Sequence, residues 1–163
     1  MNLLSKEVSI VTSKDSPDSP KSPDLTSTLH FSALRSVRNQ RNIEEIFSSL
    51  SSEEREILSQ LPRQSAMLVV LAGANKGARF LINNEVTLIG RDPTSEIFLD
   101  DVTVSRKHAQ IARDGDYYSI VDSGSLNGTY LNSQPVTRER LVVGDEVHIG
   151  KYRLTYFSGK GNL

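Results

Sequence analysis

The stretch DDVTVSRKHAQI, Asp100 to Ile111, places a serine, an arginine, a lysine and a histidine side by side at positions 105 to 108. Two chemistries suit such residues. Ser105 and His108 suggest a nucleophile and its general base. Ser105 and Arg106 suggest a site for an anion, most simply a phosphate. The first reading is weak. Residues three apart on a strand point to opposite faces. No G-x-S-x-G elbow surrounds Ser105 either, so an enzyme is not expected. The phosphate reading gains from Arg91, which follows Gly90 at the end of VTLIG and precedes the turn DPTS. A guanidinium presents forked N–H donors to a phosphate, and charge-assisted bonds of this kind are roughly twice as strong as neutral ones. Arg91, Ser105 and Arg106 would complete such a cage if their turns met at one end of a fold. Alone, each is an ordinary solvated loop residue.

The elements that must position them are short strands. AMLVVLA, ARFLI, VTLIG, EIFL, HAQIAR, YYSIVD, TYLN, EVHIG and YRLTYF are β-prone runs. They are separated by turn-rich GANKG, NNE, RDPTS, DGD, SGSLNG, NSQP and VGD. YSIVD and VHIG alternate apolar and polar residues, as half-buried strands do. The region from 65 to 163 therefore predicts an all-β sandwich or barrel, with its turns clustered at the two ends. It carries 11 basic and 11 acidic residues, so a charged site there is local.

Residues 1 to 64 differ. The run SPDSPKSPD, Ser16 to Asp24, disfavours helix and offers nothing to bury. The first 40 or so residues are expected to be disordered. From 42 to 61, Ile43, Ile46, Phe47 and Leu50, then Ile57, Leu58 and Leu61, repeat with helical spacing. Ser51 and Glu54 form a capping-box pattern, and Pro62 stops the second helix. Such short helices need a surface to pack on. The segment reads equally as a transient amphipathic stretch or as a docking helix.

Composition narrows the function. The chain of 163 residues has a formal net charge of -1 and no cysteine. Disulfides, thiolate catalysis and Cys-based zinc sites are excluded. No overall basic field favours nucleic acid or a membrane surface. His30, His108 and His148 lack metal-ligand spacing, and neither a metal nor a cofactor is expected. No signal-peptide or membrane-span pattern is present, so a cytoplasmic protein is expected.

A third landmark, SLNGTYLN, Ser125 to Asn132, completes a pattern. Gly90-Arg91, Ser105-x-x-His108 and Asn127-Gly128-Thr129, in this order and spacing, resemble the signature of forkhead-associated (FHA) domains. The resemblance implies an eleven-stranded β-sandwich that binds phosphothreonine peptides and is not an enzyme. It implies that Arg91 and Ser105, helped by Arg106, hold the phosphate. Asn127 would bond the peptide backbone, for which its amide supplies both donor and acceptor. Gly90, His108, Gly128 and Thr129 would be structural. Many FHA domains carry a hydroxyl residue just before the Asn. Here it is Leu126, which leaves its backbone N–H as the donor, with Ser125 a candidate substitute.

FLDDVTVSRKHAQ, GSLNGTYLN, GDEVHIGKYRLTYF and SAMLVVLAGANKGARFLI further resemble the actinobacterial FHA-domain regulators of the OdhI/GarA family. The likeness is close over Ser65 to Phe157 and poor over the tail. It implies inhibition of the 2-oxoglutarate dehydrogenase complex through its E1 component, and for some members regulation of glutamate dehydrogenase and glutamate synthase. It also implies a switch. A Ser/Thr protein kinase phosphorylates the tail, which then binds its own FHA domain and closes it. The tail motif of the family matches LTSTLHF, Leu25 to Phe31, in part. Anchoring on Phe31 favours Thr28, then Thr26, then Ser27. A general phosphothreonine adaptor is the alternative function.

Overall fold

A computed structural model describes residues 43–73 and 75–159. Thr26, Ser27 and Thr28, and the stretch expected to be disordered, lie outside the described residues. Two short helices, α1 over 43–49 and α2 at Ser52–Ser59, precede eleven strands. In chain order these are β1 Ala66–Val69, β2 Arg79–Ile82, β3 Val86–Gly90, β4 Ile97–Phe98, β5 Ala109–Asp114, β6 Tyr117–Asp122, β7 Thr129–Leu131, β8 Gln134–Val136, β9 Arg138–Arg140, β10 Glu146–Ile149 and β11 Tyr152–Ser158.

The strands form two sheets, ordered β2-β1-β11-β10-β7-β8 and β4-β3-β5-β6-β9. Their pairing is antiparallel except for β3 with the two-residue edge strand β4. The fold is the β-sandwich expected of an FHA domain. Alternation sets its core. Val147 and Ile149 of β10 and Tyr118 and Ile120 of β6 point inward, joining Leu68, Ile82, Ile89, Ile111 and Leu154. The turn between β7 and β8 is the two-residue Asn132-Ser133. Both residues have positive φ, 50° and 67°, as a tight hairpin turn of matching twist requires.

All four residues of β1 are buried. Ala66 and Leu68 face the sandwich core, while Met67 and Val69 belong to a second apolar cluster with Leu50, Leu61, Val143 and Phe157. Ile46, Ile57, Leu58 and Leu71 pack against that cluster. The two helices thus cover the outer face of the six-stranded sheet over β1 and β11. The rings of Phe47 and Phe157 meet edge to face, 5.8 Å between centroids. Ser51 caps α2 as its pattern implies. Its hydroxyl accepts from the Glu54 N–H at 3.1 Å, and the Glu54 carboxylate accepts from the Ser51 N–H at 2.7 Å. The Ser51 N–H first, then the Ser51 hydroxyl and the charges of Lys76 and Arg79, hold the Glu54 carboxyl below its ordinary pKa against the opposing effect of burial. The helical segment is a docked element whose partner is the sandwich itself.

Candidate functional site

The three sequence landmarks lie on different connections, and backbone hydrogen bonds bring them together. Gly90 ends β3, and the chain turns into Arg91 and Asp92. The Arg91 N–H donates to the Ser105 carbonyl at 3.0 Å, and the Asp92 N–H donates to the Arg106 carbonyl at 3.1 Å. This zips the 90–92 turn to the 105–106 turn. Glycine is required for that approach. A Cβ at position 90 would lie 1.9 Å from the Arg106 carbonyl oxygen and 3.2 Å from that of Ser105. The Leu126 N–H donates to Ser105 Oγ at 3.0 Å, which ties in the third connection. Asn127 Nδ2 donates to the Thr103 carbonyl at 2.8 Å.

His108 is fully buried and braces this junction. Its Nδ1 accepts from the Ser105 N–H at 3.1 Å, so Nε2 carries the proton and donates to the Gly128 carbonyl at 3.0 Å. With both ring nitrogens held by backbone, the imidazole has no atom left to deprotonate Ser105 Oγ. The nucleophile–base pairing fails on geometry. Gly128 has φ 78°, in the left-handed region, where a side chain is disfavoured.

Asp122 shapes the third connection from within. Its carboxylate accepts the Thr129 hydroxyl at 2.7 Å, the Ser125 hydroxyl at 2.6 Å, and the N–H groups of Gly124 at 2.9 Å and Ser125 at 3.0 Å. Burial works to raise its pKa, but these four donors outweigh that and the net shift is downward. The Ser125 hydroxyl thus donates to Asp122. The Leu126 N–H donates to Ser105 Oγ, whose own proton makes no hydrogen bond among the described residues.

Arg91, Arg106 and Lys107 are exposed, and none makes an ion pair among the described residues. Arg106 and Lys107 follow Ser105 in the chain and the Arg91 N–H is bonded to its carbonyl, so three cationic residues without an ion pair among the described residues meet at this turn. Asp92, the nearest carboxylate in sequence, is turned to Thr94, whose N–H and hydroxyl it accepts at 3.0 and 2.7 Å. Those two bonds, Thr94 N–H foremost, hold its pKa down. The same Asp-x-Thr turn recurs at Asp101, which accepts from the Thr103 N–H at 2.8 Å and from the Thr103 hydroxyl. Sequence reasoning did not foresee the bonds by which Asp101, Thr103 and Asp122 shape these connections. The Asp-x-Thr spacing was the signal for the first two, since such side chains bond their own backbone two residues on.

Val102 and Leu126 stand on these connections with 87% and 89% of their surface exposed, more than any other large apolar residue described. Beside them lies a recess of about 530 Å³ lined by Thr103, Asn127, Gly128, Tyr130, His148 and Lys151, among others. The arrangement suits an extended polypeptide bearing one doubly charged phosphate. It offers guanidinium and hydroxyl donors for the anion, an amide for the backbone and apolar tips for side chains.

Comparison with known proteins agrees with this geometry. The FHA-domain family matches residues 87–150. The chain is 57% identical over 99 residues to the oxoglutarate dehydrogenase inhibitor of Corynebacterium jeikeium, covering 61% of this chain and 69% of that one. It is 54% identical over 99 residues to the glycogen accumulation regulator GarA of Mycolicibacterium smegmatis, covering 61% and 63% respectively. Among solved structures, an FHA domain studied for phosphothreonine-dependent interactions superposes with a TM-score of 0.53 at 30% identity, over 57% of this chain and 95% of that one. The FHA domain of an Arabidopsis thaliana protein superposes with a TM-score of 0.56 at 31% identity, over 60% and 88%.

Proposed function

The chain belongs to the family of FHA-domain regulators that includes the oxoglutarate dehydrogenase inhibitors and GarA, and from that premise we propose that it is a phosphorylation-switched inhibitor of 2-oxoglutarate dehydrogenase. Its target is the E1 component, with glutamate dehydrogenase and glutamate synthase as further candidate targets. The observation that supports this most is the joined site itself. Arg91, Ser105, Arg106 and Asn127 converge on one end of the sandwich with their guanidinium groups unpaired among the described residues. In this reading Arg91, Arg106 and the Ser105 hydroxyl take the phosphate of a phosphothreonine, and Asn127 takes its backbone. The Leu126 N–H reaches the phosphate by sharing its hydrogen with Ser105.

The ligand that shuts the inhibitor off is its own tail, phosphorylated by a Ser/Thr protein kinase at Thr28, with Thr26 and Ser27 next in order. A phosphate adds about -1.5 to -2 charge near neutral pH. Docking of the helices shortens the tether. Thr28 lies 15 residues before Ile43, rather than the 37 that separate it from Ser65. Ile43 abuts Gly144, two residues before β10, and Gly150, just past its other end, abuts Thr103. The six residue steps between the two glycines span at most about 20 Å. Fifteen residues reach about 50 Å when extended, so the tail can arrive. An effective concentration of order mM follows, enough to close a site of micromolar affinity.

The test is incubation of the full chain with a Ser/Thr kinase and ATP. Mass spectrometry then maps the modified residue, small-angle scattering follows compaction, and oxoglutarate dehydrogenase is assayed. The switch predicts inhibition by the unmodified chain, and compaction with loss of inhibition after modification. A general phosphothreonine adaptor would show neither.

A further inference from the structure

The turn between β10 and β11 makes contact with the recognition loops although no phosphate-site residue lies on it. Lys151 Nζ sits 2.6 Å from Asp101 Oδ2. The other oxygen of Asp101 accepts the Thr103 N–H and hydroxyl. The Thr103 carbonyl in turn receives Asn127 Nδ2 at 2.8 Å. Gly150 permits the approach, because a Cβ there would lie 2.3 Å from Thr103 Oγ1 and 2.9 Å from Val104 Cγ2. Tyr152 adds a hydroxyl reaching the Asp100 carbonyl at 3.4 Å. The Asp101 side chain is 12% exposed and that of Lys151 49%, so the pair is shielded on its carboxylate side only and acts here through geometry rather than through burial. The chain of contacts runs without a gap from Lys151 to the amide of Asn127, whose Oδ1 and second amide hydrogen make no hydrogen bond among the described residues.

We propose that Lys151 and Asp101 are a latch that sets the position of Asn127 through Thr103. Both are positioning residues for phosphopeptide binding, although neither touches the phosphate. The latch rests on the reading of Asn127 as the group that bonds the peptide backbone. It explains why loops far apart in sequence are held by a charge pair. Asn127 sits on an exposed turn, and its side chain would otherwise sample several rotamers at an entropic cost on binding.

The experiment compares the full chain with Lys151→Met, Asp101→Asn, their double variant and Lys151→Arg. The ligand is a synthetic phosphothreonine peptide covering residues 22–34, titrated by calorimetry, and NMR follows the Asn127 side-chain amide without peptide. The latch predicts that each single change weakens binding about threefold to tenfold, the scale of one hydrogen bond. The double change is no worse than either single one, Lys151→Arg restores most of the affinity, and the Asn127 amide resonance moves in Lys151→Met and Asp101→Asn alike. A contrary result would be Asp101→Asn binding as well as or better than the unaltered chain while Lys151→Met is weaker, which would make Lys151 a direct phosphate ligand. Additive losses, or an Asn127 resonance that stays put, would equally overturn it. Failure of the unaltered chain to bind any phosphopeptide is a different outcome, and removes the functional reading on which the latch depends.

Discussion

Gly90 and His108 hold together the connections on which the candidate site stands. Gly90 lets two turns share carbonyls and N–H groups at van der Waals limits, so Gly90→Ala drives a methyl into the Arg106 carbonyl. The expected result is either a loss of about 2–4 kcal/mol in urea unfolding or displacement of the 105–106 turn with loss of phosphopeptide affinity. A variant with unchanged stability and binding would contradict the close approach. His108 was legible as a brace because it sits three residues after Ser105 in a pattern shared with FHA domains. Its two partners, the Ser105 N–H and the Gly128 carbonyl, were not, because they depend on how two loops close over the ring. Four carboxylates, three of them near the site and Asp114 at the far end of β5, add a pH dependence. Lys151 and then Thr103 push the Asp101 pKa down to about 2, and those of Asp122, Asp114 and Asp92 are also lowered. Their folded values lie below their unfolded ones. Their contribution is therefore complete above about pH 5 and is lost as pH falls through the folded values toward about pH 2. Urea midpoints are predicted to decline steadily as pH falls below about pH 4. A midpoint that rises on acidification would contradict these assignments.

At the scale of elements, the helix pair covers an apolar face of the sandwich. It buries Met67, Val69 and Phe157, which would otherwise stand on an open sheet face. Ile46→Asp places a charge in that cluster and is predicted to lower stability by about 2–3 kcal/mol. It should also release the helices, seen as increased amide exchange over 43–61, while phosphopeptide affinity measured with a free peptide is unchanged. Unchanged exchange would mean that the helices do not depend on this contact. The helical repeat and the capping box were readable, since both are local. The surface that receives them was not, because Met67, Val69, Val143 and Phe157 come from three separate strands and loops. The strand pattern was readable for the converse reason. Alternation such as Val147 and Ile149 against His148 marks a half-buried strand locally, and the turns between strands carry their own residues. Likewise the ion pair of Asp101 with Lys151 joins loops that only the closed sandwich brings together.

For the whole molecule, everything turns on whether one end of the sandwich is a phosphothreonine receptor that its own tail occupies. No helix among the described residues is long and apolar enough to cross a membrane. Charge does not drive association globally, because the net charge is -1. Recognition must therefore be local, and Arg91 with its forked donors is the residue that should dominate it. The most direct measurement is calorimetric titration of a phosphothreonine peptide spanning residues 22–34 into the full chain and into Arg91→Ala, with the unphosphorylated peptide as control. The account predicts micromolar binding to the unaltered chain, at least a hundredfold weaker binding to Arg91→Ala as a charged bidentate contact is removed, and none for the unphosphorylated peptide. Equal affinity for both peptides, or full affinity in Arg91→Ala, would contradict it.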